Sequence, residues 1–96
     1  MMLRFHALLG DDVREAYQWY EKQRAGLGED LLMCIEEALG RIVDNPLIGV
    51  HITDAVYRIL IRRFPYGVYY RVKKRGLIVV ALRHLKRRPL IRYRND

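Results

Sequence analysis

The residues best equipped for chemistry are a cationic set in the second half of the chain: Arg58, Arg62, Arg63, Arg71, Arg83, Lys86, Arg87 and Arg88. Tyr66, Tyr69, Tyr70 and Tyr93 are interleaved with them. A guanidinium fork meets phosphate or carboxylate through two parallel hydrogen bonds, and an aromatic face stacks on a base. The mixture therefore suits RNA. Cleaving RNA also needs a base for the 2′-hydroxyl, positive charge for the phosphorane and an acid for the leaving oxygen. His84, Arg87 and Tyr93 carry the groups for those roles. Two other readings stand beside this one. The tyrosines, Tyr57 and Tyr70 above all, pack inside the fold, or the arginines receive an acidic protein segment instead of a nucleic acid.

Other chemistries find little support. His6, His51 and His84 are far apart and form no metal-ligand spacing, so no metal and no cofactor is expected. Cys34 is the only cysteine, which excludes an internal disulfide and fits a reducing cytoplasm; the acids at Glu36 and Glu37 oppose a thiolate there. Those two glutamates are adjacent on a helix, point in different directions and make a poor acid–base pair. Gly26-Leu27-Gly28 lacks the strand-before, helix-after setting of a phosphate loop.

The net charge of +7 hides a division. Residues 1–56 carry 5 basic side chains against 10 acids, whereas residues 57–96 carry 13 against Asp96 alone. Such asymmetry points to a polyanionic partner, nucleic acid or acidic protein. A length of 96 residues and a hydrophobic fraction of 51% predict a single globular domain over 1–96. The longest apolar run, Leu77 to Leu82, is too short to span a bilayer, and no secretory signal opens the chain.

The elements that must position the basic set follow from periodicity. Tyr57, Ile59 and Ile61 alternate with Arg58, Leu60 and Arg62, and Val68, Tyr70 and Val72 alternate with Tyr69 and Arg71, as strands require. Pro65-Tyr66-Gly67 reads as the corner between them. A third strand, Leu77 to Leu82, follows the polar link Lys73-Lys74-Arg75-Gly76. Upstream, Leu3 to Leu9 reads as a short strand. Asp12, with Glu15 three residues on, reads as the capping box of a helix over 13–24 whose apolar positions are Val13, Ala16, Tyr17 and Tyr20. Trp19 lies beside that stripe, available to the core or to a partner. A second helix runs from Glu29 to Asp44 and ends at Asn45-Pro46. Leu47 to Val56 reads as a connector. The expected fold is α+β: an N-terminal strand, a helical hairpin, then a three-stranded antiparallel meander, with the helices on one side of a mainly antiparallel sheet.

Several of these stretches, in this order, resemble the RelE/ParE superfamily of toxins from bacterial type II toxin–antitoxin modules, nearest to the ParE-like branch. They are Trp19-Tyr20, Gly26-Leu27-Gly28, Asn45-Pro46, Arg63-Phe64-Pro65-Tyr66, Tyr69-Tyr70 and Arg83-His84 with Arg87-Arg88-Pro89. The resemblance implies the same helical hairpin against an antiparallel sheet. It also implies a cytoplasmic growth inhibitor of the plasmid-stabilisation type, neutralised by an antitoxin whose acidic or amphipathic C-terminal segment wraps the toxin. ParE-type members are associated with poisoning DNA gyrase, without an established catalytic centre. RelE-type members cut mRNA on the ribosome, and for that activity Arg58, Arg87 and Tyr93, with His84 for proton transfer, are the matching positions. The nuclease branch has an arginine directly after the aromatic that opens the middle meander strand; here Gly67 follows Tyr66. The expectation is therefore a non-enzymatic inhibitor. Arg62, Arg63, Arg71, Arg83, Lys86, Arg88 and Trp19 would contact target or antitoxin. The expected assembly is a homodimer or a toxin–antitoxin hetero-oligomer. A copy that retains only antitoxin binding is the third reading.

Overall fold

The computed structural model describes residues 2–86. Chain order is β1 (Met2–Phe5), α1 (Leu9–Gln23), α2 (Leu27–Asp44), β2 (Val50–His51), β3 (Tyr57–Leu60), β4 (Tyr66–Lys73) and β5 (Gly76–His84). The five strands form one sheet in the order β1-β5-β4-β3-β2. The meander β3–β4–β5 is antiparallel, as its alternation predicts, while β1 pairs parallel to β5, with Leu3 opposite Leu77. The sheet is thus mixed, antiparallel except at one edge. The helical hairpin covers one face. Ala16, Leu31, Ile35, Ala38 and Ile42 from the helices meet Ile59, Val68, Tyr70, Leu77, Val79 and Leu82 from the strands.

Both helices owe their position to a few polar contacts that periodicity does not reveal. The Glu21 carboxylate on α1 accepts from the backbone N–H groups of Gly26 and Gly28, at 3.0 and 2.9 Å, and so satisfies donors at the start of α2. Gly28 permits that approach, because a Cβ there would lie 2.7 Å from the Tyr17 ring. The expected Asp12 capping box does not form. The helix begins at Leu9, three residues before Asp12, with Leu8 as its cap residue and no side-chain capping bond. The Asp12 carboxylate is engaged elsewhere: Oδ2 accepts from Leu82 N–H at 3.0 Å and Oδ1 from Arg83 Nη1 at 3.1 Å. The reason lies in strand length. β1 ends at Phe5, opposite Val79, but β5 continues to His84, and Asp12 takes up a β5 donor past the end of β1.

Three further details differ from the sequence reading. The connector Leu47–Val56 contains β2, a two-residue strand paired with β3. Buried Tyr70 fastens this segment: its hydroxyl donates to Pro46 C=O at 2.8 Å and accepts from Gly49 N–H at 3.0 Å. The β3–β4 corner spans 61–65, earlier than Pro-Tyr-Gly, and its left-handed residue is Arg63, at φ 70°. Gly67 lies inside β4, opposite Leu60 and Arg83. Finally, the β4–β5 register shifts at Tyr69/Tyr70, where Tyr69 stands opposite Ala81 and Tyr70 opposite Val79. Val80 and Ala81 both join a second cluster with Val56, Tyr69 and Ile78, on the sheet face away from the helices. After the shift, Leu82 returns to the helix side.

Candidate functional site

The predicted site residues divide among three surfaces. The far face of the sheet holds Arg58 and Arg71, since strand alternation places them with Tyr69 and opposite to Ile59, Val68 and Tyr70. Arg58 pairs directly with Tyr69 across β3 and β4. Its Cδ and Cγ lie 2.9 and 3.0 Å from where a Cβ on Gly67 would stand. The absent side chain at 67 is therefore the space occupied by the Arg58 stem. The Nε atoms of Arg58 and Arg71 are both shielded from solvent.

The second surface is the β3–β4 corner against the polar side of α2. Arg62 approaches the Glu37 carboxylate at 3.7 Å, a group already held at 2.8 Å by Arg41. Arg63 pairs with Asp30 at 3.4 Å and places its guanidinium over the Phe64 ring. Both arginines are exposed, so these ion pairs are weak and readily exchanged for a partner's carboxylates.

The third surface is a groove of about 510 Å³ between α1 and the end of β5. Trp19, Tyr20 and Lys22 form one wall; Tyr66, His84 and Lys86 form the other. The aromatic rings are linked edge to face: Trp19 to Tyr20 at 4.8 Å, Tyr20 to Phe64 at 4.9 Å, and Tyr66 to His84 at 5.2 Å. Burial raises the Tyr20 phenol above the ordinary tyrosine range, so it remains a neutral donor. Trp19 is 56% exposed and so lies outside the core. His84 Nδ1 accepts the Lys86 backbone N–H at 3.1 Å, which puts the proton of neutral His84 on Nε2. Arg83, beside this groove, is spent internally on Asp12, the two side chains being 22% and 6% exposed.

The two described members of the proposed nuclease set are not brought together. His84 stands opposite Tyr66 on the helix side of the sheet, whereas Arg58 is on the far side. Arg87, Arg88 and Tyr93 lie outside the described residues. Among the described residues no three metal-ligating side chains converge. No helix described is long and apolar enough to cross a membrane.

Sequence reasoning missed one surface and one residue. The surface is an apolar groove of about 540 Å³ bordered by Phe5, Leu9, Val13, Tyr17 and Leu32, where β1 runs past the helical hairpin. Phe5, at the end of β1, is 52% exposed at its edge. The residue is Gly67, whose role depends on a side chain from the neighbouring strand and leaves no local trace.

Comparison with known proteins is consistent with this architecture. Residues 3–89 match the family model described as the ParE toxin of the type II toxin–antitoxin system parDE. No curated protein sequence matches the chain. Among solved structures, a chain from the chromosomal ParDE toxin–antitoxin system of P. aeruginosa is similar, with a TM-score of 0.68 at 14% identity over 90% of this chain and 97% of that one. At that identity the likeness establishes the fold.

Proposed function

The chain belongs to the ParE toxin family of type II toxin–antitoxin systems, and we propose that it is a cytoplasmic growth inhibitor that acts on DNA gyrase by binding, without cutting a substrate. The observation that carries this reading is the family match, which covers both helices, β2 to β5 and all of β1 but Met2. The distribution of side chains supports it. Among the described residues, the basic and aromatic side chains are spread over three surfaces, with Arg58 and His84 on opposite faces of the sheet. An arrangement of that kind suits an extended protein contact better than a compact catalytic centre.

A cognate antitoxin with an acidic or amphipathic C-terminal segment neutralises it. Arg62 and Arg63 exchange their weak internal pairs for that segment's carboxylates, and Trp19 and Lys86 offer an aromatic and cationic groove to the same partner or to gyrase. The test is induced expression of the chain alone in bacteria, followed by pulse labelling. An early fall in DNA synthesis, with relaxed plasmid accumulating when purified protein is added to gyrase, is the expected result. An early fall in protein synthesis with cleaved mRNA would overturn it in favour of the ribosome-dependent nuclease. Continued growth would indicate a copy that retains only antitoxin binding.

A further inference from the structure

Residues 45–53 are the longest uncharged run in a chain whose charged side chains make up 30%. The run supplies one edge of the sheet: β2 pairs with β3 on one side and, among the described residues, with no strand on the other. Leu47, Ile48, Val50 and Ile52 are between 39% and 66% exposed, and Leu60 on β3 adds a fifth exposed aliphatic. Native edges are ordinarily guarded by charge, proline or a bulge, and β2 carries none of these. Its backbone is also turned the right way for pairing. Ladder bonds of an antiparallel pair alternate along each strand. Ile52 N–H donates to Val56 C=O at 2.8 Å, in register with the β2–β3 pairs, so Val50 faces β3 and the His51 N–H and C=O point outward.

We propose that this edge is a self-association surface: a second copy of the chain lays its own β2 antiparallel against it, about a two-fold axis at His51, and joins the two sheets edge to edge. The axis lets the His51 N–H of each copy donate to the His51 C=O of the other, and sets Val50 of one copy opposite Ile52 of the other. Charge selects this occupant. From Ile42 to Tyr57 there are two acids, Asp44 and Asp54, and no lysine or arginine. Arg58, opposite Val50, lays its stem over Gly67 on β4, away from the edge. A carboxylate-rich segment or a phosphate backbone would therefore meet acids and no cation. A second copy brings the same uncharged aliphatic run, and in this register the two Asp54 residues stand on opposite sides of the axis, about 20 Å apart. The other edge of the sheet does not serve, because β1 carries Arg4 within its four residues. The inference is independent of what the toxin inhibits.

The experiment is analytical ultracentrifugation of the purified full chain, without antitoxin, over about 1–300 μM. Hydrogen exchange is followed at both ends of that range. The expected result is a mass that rises from one chain to two, with the His51 amide exchanging more slowly as concentration increases. Val50→Lys puts a charge on the edge. His51→Pro removes the outward N–H and takes no bond from the β3 ladder. Each should weaken association about tenfold or more, and the backbone amide spectrum of each variant reports whether the fold is intact. A single chain at every concentration would overturn the proposal. So would a dimer that both folded variants retain, since it would use another surface. Protection of His51 that appears only when the cognate antitoxin is added would overturn the second copy as occupant and give the edge to the antitoxin.

Discussion

Tyr70 shows how one side chain can be legible as a type and illegible as a role. Its place in an alternating strand predicts burial, and it is 0% exposed and stacked on Tyr57 at 5.4 Å. Nothing local reveals that its hydroxyl bridges Pro46 and Gly49, more than twenty residues upstream. Tyr70→Phe keeps the ring and strands the Gly49 N–H, so it should cost about 1–3 kcal/mol in urea unfolding. Burial raises the Tyr70 phenol above its ordinary value; the Gly49 hydrogen bond opposes that shift and Tyr57 adds to it. A phenol that ionises at higher pH when folded contributes stability that is complete below its unfolded pKa of about 10. That contribution is lost as pH climbs through the raised folded value. Stability should therefore fall in the alkaline range, and Tyr70→Phe should fall less steeply. The part that remains includes Tyr20, raised by burial in the same direction.

The helices illustrate the same division between pattern and contact. The apolar stripe Leu31, Ile35, Ala38 and Ile42 was readable from spacing alone, because a helix has one period and one buried face. The start of α1 was not. Asp12 and Glu15 fit a capping box, yet β5, seventy residues later, competes for the Asp12 carboxylate and wins it with two donors. Removing this group should matter more than losing a cap. Asp12→Ala leaves the partly buried Arg83 guanidinium unpaired and should cost about 3 kcal/mol, measured by urea unfolding. Asp12→Asn keeps an acceptor for Leu82 N–H and should cost less. Hydrogen exchange at the Leu82 amide should accelerate in the alanine variant and change little in the asparagine one.

For the molecule as a whole, charge is segregated along the chain, but among the described residues the fold does not gather it into one site. The basic second half is distributed by the sheet onto the far face, the corner beside α2 and the groove beside α1, and part of it is neutralised by acids of the first half. A partner that satisfies all three surfaces has to wrap the toxin. Trp19 is the sharpest test of such wrapping. Being largely exposed, Trp19→Ala should change unfolding stability by no more than about 1 kcal/mol. In calorimetry with the cognate antitoxin, the same variant should weaken binding by about thirtyfold, the loss typical of an aromatic anchor of about 2 kcal/mol. Unchanged affinity would remove the groove from the antitoxin interface.

The sequence alone determined the types and order of the elements other than β2, the helix-facing residues of the meander and the family, because each depends on local period or on short residue patterns. It also determined the charge division that points to a polyanionic or acidic partner. Only the tertiary structure decided that β1 joins β5 in parallel, that Asp12 serves β5 and not its own helix, that Tyr70 fastens a distant connector, and that Gly67 accommodates Arg58. Each of these brings together groups far apart in the chain or on neighbouring strands. Which donor meets which acceptor there is set by strand register and relative strand length, quantities that no local window contains.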